Sequence, residues 1–406
     1  MKIADVSSLL LSLCALLALP PACLSQANGS TQGQSLPDPA SARASVVSIG
    51  GEPVVTLQRP ASKDRDHPRF LGATIAPGRG MNLLQLKAYL PGTGEVSLLN
   101  PASLSEEKQT LDAGDDEFGN KGFQVGAGIL LPYANRIRGT LSQDGKTIST
   151  NIAGKTVSLP ANWHGKNPGA EVLAMHGLIL SAKFTDVHEK NGPKESSVSA
   201  VFHGGDFGGH WPSKTDVSVR MTLKDDALEL DVTAKNVGKE PLPIGIAFHP
   251  WFVFPSGDRK QVKLFVPADQ RALVNNYDDV VPTGKIEEVK GTPYDFTAAG
   301  GTALGTLFMD DNFLNIKHDK DGNSAVEITD PAAGYGLRIV SLSPEVKAFQ
   351  VYAPPDRNVI VVEPQINLAD PYNPIWGKTD TGMVLLGPGH SVSWRVRLEL
   401  FTPSKN

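Results

Sequence analysis

The most constraining stretch of this chain is a hairpin written in its own alternation. Val217-Ser218-Val219-Arg220-Met221-Thr222-Leu223 leads into the polar turn Lys224-Asp225-Asp226-Ala227 and out through Leu228-Glu229-Leu230-Asp231-Val232. Apolar side chains at every second position on both sides of a turn bury one face of an antiparallel pair. The same period of two recurs from Ser393 to Leu400 and from Val346 to Tyr352, and no long 3.6-residue apolar pattern competes with it after the N-terminal segment. The 40 Gly and 31 Pro supply many turns and argue against a helical protein. The expected fold class is all-β, a large antiparallel β-sandwich. Residues 46–406 show no internal repeat and no composition break, so they read as one domain. At roughly 350 residues such a domain is large, which favours two extended sheets. Residues 104–122, acidic and Gly-rich, read as a surface insertion or long loop.

The N-terminus has a different texture. Lys2 precedes an apolar run from Leu9 to Leu19, followed by Pro20-Pro21 and small residues. That run is too short to span a bilayer and is flanked as a signal peptide is, so residues 1–27 are expected to be a leader, cleaved between Ala22 and Ala27. Export to the periplasm or extracellular space follows, with no stable membrane insertion. Cys23 raises the question of a lipid anchor, but the upstream prolines fit such a signal poorly. Cys14 and Cys23 both fall in the leader, leaving the expected mature chain without disulfides. Residues 28–45 read as a flexible lead-in, in which the sequon Asn28-Gly29-Ser30 carries little weight.

Charge excludes some partners. A formal net charge of −5 with no basic cluster gives no footprint for nucleic acid. What remains is a soluble β-domain with a small-molecule partner, as a monomer or homodimer.

Ionisable residues interrupt or close strands in five places. Arg136 lies between apolar neighbours in Pro132-Tyr133-Ala134-Asn135-Arg136-Ile137, and its donor fork suits sugar hydroxyls as well as a solvated surface. His176 stands in Met175-His176-Gly177-Leu178. His249 follows an apolar strand and sits among aromatics in Phe248-His249-Pro250-Trp251-Phe252, where sugars pack their C–H faces; a lone histidine there also suits a core. Asp310 opens Asp310-Asp311-Asn312-Phe313, which also reads as a turn. Glu363 follows the buried-looking run Val359-Ile360-Val361-Val362 and precedes Pro364, so it is expected to emerge where the proline breaks the ladder. A carboxylate against apolar walls has a raised pKa, as a general base requires.

The ordered set Tyr-Ala-Asn-Arg-Ile, His-Gly, His-Pro-Trp-Phe, Asp-x-Asn-Phe, and Glu-x-Gln followed by Ala-Asp-x-x-Asn resembles the galactose mutarotase (aldose 1-epimerase) family over roughly residues 65–400. The resemblance implies a galactose mutarotase-like supersandwich that interconverts the anomers of a free aldohexose. It implies Glu363 as general base on the anomeric hydroxyl and His249 as general acid on the ring oxygen. His176, Arg136 and Asp310 would bind substrate hydroxyls, with Asn135 supporting Arg136. No cofactor and no metal are implied. Gln365 and Asp370 to Asn373 read as the turn that fixes the base.

Three features sit less easily. Leu178 replaces the second Gly of the family's His-Gly-Gly and is expected to reshape the pocket wall. The segment from His203 to His210 falls where a substrate-side loop belongs, though its spacing fits no zinc pattern. Asp319 to Asn323 faintly resembles a calcium loop but reads better as a hairpin turn. The competing function is a non-catalytic carbohydrate-binding protein on the same fold, which has no need of a Glu363–His249 pair. A sugar-phosphate enzyme would want more cations than Arg136 and Arg138. A polysaccharide-cleaving relative would want a longer cleft or an added domain, and none is evident.

Overall fold

Alternation decides the architecture. In the hairpin the strands Thr215–Leu223 and Ala227–Asn236 pair antiparallel, with Val217, Val219, Met221 and Leu223 facing the core together with Leu228, Leu230 and Val232. They belong to a nine-stranded sheet that continues through Ser391–Phe401, Tyr335–Ser341 and Ser324–Asp330. The structure, a computed structural model, describes residues 47–404 except 100, 101, 115 and 117. The leader, the lead-in, both cysteines and the sequon lie outside the described residues.

The second large sheet carries the site. Its strands in chain order are β1 (Val55–Gln58), β2 (Arg69–Ala76), β3 (Asn82–Leu90), β4 (Gly94–Ser97), β5 (Ala127–Leu130), β6 (Ala247–Val253), β7 (Ala268–Val274), β8 (Pro282–Glu288), β9 (Met309–Ile316), β10 (Ala348–Ala353) and β11 (Val359–Gln365). Their spatial order is β8-β7-β9-β10-β11-β6-β5-β3-β2-β1, with β4 on β3. All pairings are antiparallel. One continuous apolar core lies between the sheets, including Val219 and Trp394 from the first and Phe313, Val351 and Val362 from the second. Inner faces of two sheets interdigitating in this way make a sandwich. The all-β expectation stands.

Two local expectations are corrected. Residues 104–122 are not one loop: Leu104–Leu111 is a helix, α1, closed by a capping box between Ser103 and Glu106, and Asn120–Phe123 is a 3₁₀ turn. The helix hides in the sequence because its inward stripe reads Leu104, Glu107, Leu111, with a buried glutamate at the middle position. Nor does Pro364 end its strand. β11 runs on through Gln365 because β10 still pairs with it, Phe349 opposite Pro364 and Ala348 opposite Gln365. No helix among the described residues is long and apolar enough to cross a membrane.

Candidate active site

Register places the central side chains. Asn312 on β9 lies opposite Gln350 on β10, Gln350 opposite Glu363 on β11, and His249 on β6 opposite Gly128 on β5. Between β11 and β6 the ladder is formed only at Val359–Val361 against Trp251–Val253, and one further bond, Ile366 N–H to Ile246 C=O, keeps the same register beyond. Continuing that register puts Glu363 opposite His249. The hydrogen-bonding pairs on either side contain Pro250 and Pro364, neither of which has an N–H to give. The expected break in the ladder is therefore real, but it lies on the β6 side alone. A row Asn312–Gln350–Glu363–His249–Gly128 thus crosses five strands on one face. A second row, Asp310–Tyr352–Val361–Trp251, runs beside it.

Gln350, Glu363 and His249 of the first row and Asp310, Tyr352 and Trp251 of the second line a cavity of about 490 Å³, which Asn135, Arg136 and His176 also line. All six residues named from the sequence meet there. Three turns bring the remaining walls. Asn135 and His176 both adopt the left-handed region, φ 62° and 63°. His176 leads into Gly177 at φ 79°, where a Cβ would lie 2.3 Å from the Leu131 carbonyl, so only glycine fits after this histidine. The third is the 119–123 turn, which passes over Gly128 and seats Phe123 with its ring 4.8 Å from that of His176 and 5.6 Å from that of His249. A Cβ on Gly128 would lie 2.7 Å from Leu180 Cδ2 and 3.3 Å from the Gly122 carbonyl.

The polar groups form one chain. The Arg136 Nη2 donates to Asp310 Oδ2 at 3.2 Å, and its Nη1 donates to Asn135 Oδ1 at 3.1 Å. Gln350 donates to the other oxygen of Asp310. Gln365 Nε2 donates to Glu363 Oε2 at 2.9 Å. Glu363 Oε1 faces His249 Nε2 at 3.6 Å. Alternation along β9 settles the choice between neighbouring aspartates: Asp310 faces the cavity, while Asp311 takes Arg271 and the Tyr277 hydroxyl.

Burial dominates the electrostatics. Loss of solvent pushes the Glu363 carboxyl up to about 8, a rise that the Gln365 bond and the positive charge of Arg136 moderate and Asp310 reinforces. The same loss pulls the His249 imidazole down to about 3, and Arg136 acts in the same direction. His176 is likewise held well below the ordinary histidine range, by burial first and by His249 and Arg136 next. Near pH 7 the facing pair therefore holds one proton, resting on Glu363. The Nδ1 atoms of both histidines have no hydrogen-bond partner among the described residues, so neither tautomer is fixed from behind. Nε2 of His249 is free to accept from the carboxyl or to donate.

Several lining residues carried no readable signal: Phe123, Trp163, Tyr277, Phe308, Gln350, Tyr352, Arg357 and Lys166. They lie on loops or on strands whose partner faces only the register reveals. Other expectations fail. Leu178 does not shape the cavity; it packs in the main core, its N–H bonded to the Leu131 carbonyl. The His203–His210 segment does not line the cavity either: His203 pairs with Asp216 at 3.0 Å and His210 bonds the Ser158 carbonyl. Arg138 turns away to Glu171, so the second cations at the cavity are Arg357 and Lys166. Asp319 caps its own turn, accepting from Asp321 N–H and Asn323 N–H. Asp370 does brace the site's flank, accepting from Arg138 N–H and Asn373. No group of three or more metal-binding side chains occurs among the described residues.

A buried carboxyl and imidazole face to face on the floor of a polar, aromatic-walled cavity, on a two-sheet β-supersandwich, define a galactose mutarotase-like protein. The aldose 1-epimerase family model matches residues 80–399, and the chain belongs to that family. Solved structures share the fold. A galactose mutarotase-like protein from Clostridium acetobutylicum superposes with a TM-score of 0.65 at 20% identity, covering 86% of this chain and 99% of that one. An aldose epimerase homologue from C. elegans gives 0.62 at 17%, covering 86% and 99%. A galactose 1-epimerase from Lactobacillus acidophilus gives 0.58 at 15%, again covering 86% and 99%.

Proposed function

We propose that this protein is an exported aldose 1-epimerase that interconverts the α and β anomers of a free aldohexose, with Glu363 and His249 as its acid–base pair. The carrying observation is their 3.6 Å approach on the cavity floor, where burial raises the carboxyl and lowers the imidazole. Mutarotation needs a proton taken from the anomeric hydroxyl and one given to the ring oxygen. Transfer of the resting proton from Glu363 to His249 produces the carboxylate base and imidazolium acid together. The base then takes the hydroxyl proton while the acid protonates the ring oxygen, the C1–O5 bond breaks, and an open-chain aldehyde forms. Rotation about C1–C2 presents the other carbonyl face, and the reverse transfers close the other anomer. Arg136, Asp310 and His176 hold hydroxyls, and Arg136 stabilises charge developing on oxygen. Trp251, Phe123 and Tyr352 offer faces for the sugar's C–H surface.

Because the active form carries one proton on the pair, activity is expected to fall as pH rises through about 8, where Glu363 loses it. The test is polarimetry on freshly dissolved pure anomers. Wild type should speed the drift of rotation, and Glu363→Gln and His249→Ala should each lower kcat/KM by about 10²–10⁴. A wild type no faster than buffer on every aldose sinks the enzyme reading and leaves the carbohydrate-binding alternative. Arg357 and Lys166 at the cavity favour a second reading, an aldose bearing an anionic group. A panel that adds a uronic acid and a hexose phosphate decides between them. Export rests on the leader pattern of residues 1–27 and is tested by N-terminal sequencing of protein recovered outside the cytoplasm.

A further inference from the structure

One buried residue outside the cavity touches both halves of the polar chain. Asn312 is 5% exposed and does not line the cavity. Its single Nδ2 group has two hydrogens, and both are used: one goes to Gln350 Oε1, the other to Gln365 Oε1 at 3.2 Å. Its Oδ1 is turned to the Ala369 N–H at 3.4 Å, which fixes the sense of the amide. An amide that accepts through its oxygen presents its nitrogen at the other end. Gln365 therefore turns its N–H to Glu363 Oε2, and Gln350 turns its own to Asp310 Oδ1. Asn135 donates to the same oxygen of Gln350 at 3.3 Å and enforces the same sense.

We infer that Asn312 is a positioning residue that sets the orientation of both glutamine amides, and so provides each of the two cavity carboxylates, Glu363 and Asp310, with a donor. A side chain at 312 without donors frees the Gln365 amide to flip and leaves the Gln350 amide held by Asn135 alone, at 3.3 Å. A flipped Gln365 puts its oxygen against Glu363, and a flipped Gln350 does the same to Asp310, the partner of Arg136. One residue thereby couples the proton affinity of the acid–base carboxyl to the geometry of the hydroxyl clamp. The charged and titratable groups that act on Glu363 are His249 facing it from β6, Asp310 from β9 and Arg136 from the 135–137 segment, with His176 beyond His249. A change at 312 reaches only Asp310 among them, through Gln350; the contacts of His249 and His176 do not involve it.

The inference rests on the mutarotase reading for its kinetic test, and a direct titration separates the two. Asn312→Leu removes the donors without adding charge. It should move the alkaline fall of kcat/KM upward by about one to two pH units, since a hydrogen bond to a charged group is worth that much, and should raise KM. Gln365→Leu should move the pH limb alone, and Gln350→Leu should raise KM alone. Asn312→Ser, with one donor, is the second variant should the first fail to fold; it should show one of the two changes. Carboxyl ¹³C titration of Glu363 in ligand-free protein reports the same shift whether or not the enzyme reading holds. A Glu363 titration and a KM both at wild-type values in a folded Asn312 variant overturn the inference. A wild type without mutarotase activity overturns the function but leaves the titration test standing.

Discussion

Glu363→Gln should stabilise the protein while disabling it, and the stabilisation should grow with pH. Glu363 is 2% exposed and its carboxyl is pushed to about 8, from the ordinary 4.5 of an unfolded chain. Its folded pKa is raised, so the sign runs against alkali. Below 4.5 both states are protonated and the group is neutral to stability. Between 4.5 and about 8 the unfolded chain releases a proton that folding must take back, and the folded state loses ground throughout that window. At 1.36 kcal/mol per pH unit the loss is about 1 kcal/mol at pH 5 and about 4.5 kcal/mol at pH 8.5. Gln is nearly isosteric, has no charge to bury, and can still accept from Gln365. With about 2.1 cal/mol/K of unfolding entropy per residue over some 350 residues, the difference of about 3.5 kcal/mol corresponds to about 5 °C in Tm. Calorimetric scans of wild type and Glu363→Gln at several pH values between 5 and 8.5 measure it. Any constant offset from packing cancels in the trend. A Tm difference that stays flat across that range, or shrinks, refutes the claim that burial holds this carboxyl neutral.

The other expectations concern the supports of the site. Gly128→Ala forces a Cβ against fully buried Leu180 and the 119–123 turn; it should cost about 1–3 kcal/mol in urea unfolding and, by shifting Phe123, lower kcat/KM. Arg136→Leu leaves Asp310 buried without its ion partner, a loss of about 3–5 kcal/mol that Asp310→Asn in the same chain should largely restore; additive losses in that double-mutant cycle would rule the pairing out. Glu107, buried on α1 with neither carboxyl oxygen bonded among the described residues, is pushed to about 8 by burial, with Glu106 adding to the rise. Glu107→Gln should therefore raise Tm more at pH 8 than at pH 5, without changing kcat/KM.

What could be read from the sequence follows from periodicity and from motif order. A period of two is a local property, so the hairpin at 215–236 and the all-β class were visible without neighbours. Arg136, His176, His249, Asp310 and Glu363 could be gathered because each sits in a short run of unusual residues whose order matches a family. Gln350 could not: it lies mid-strand in Ala348–Ala353 with no motif, and it matters only because register sets it between Asn312 and Glu363. Phe123 was hidden for a different reason. It reaches the cavity through a turn that crosses Gly128, a contact between segments with no shared pattern. Leu178 misled because a motif position is not a direction; the backbone after Gly177 turns its side chain into the core.

The placement of Glu363 and His249, the proposed acid–base pair, has a physical logic that neither residue explains alone. Glu363 and His249 are cross-strand neighbours at a position where side chains come closest, between two pairs that would normally carry the ladder. A fully bonded ladder there would hold the two strands at fixed spacing in the middle of a sheet. Pro250 and Pro364 remove one donor from each flanking pair, and the bonds resume only at Ile366 on one side and near Val361 on the other. Prolines in a central strand are ordinarily an argument against the strand. Here β10 keeps β11 in the sheet and β5 keeps β6, so the fold survives the gap, and the missing donors are confined to the one seam where the proposed pair meets. A local rule is broken at the site and the neighbouring strands compensate for it, which is where such exceptions are expected in a chain otherwise consistent at every level.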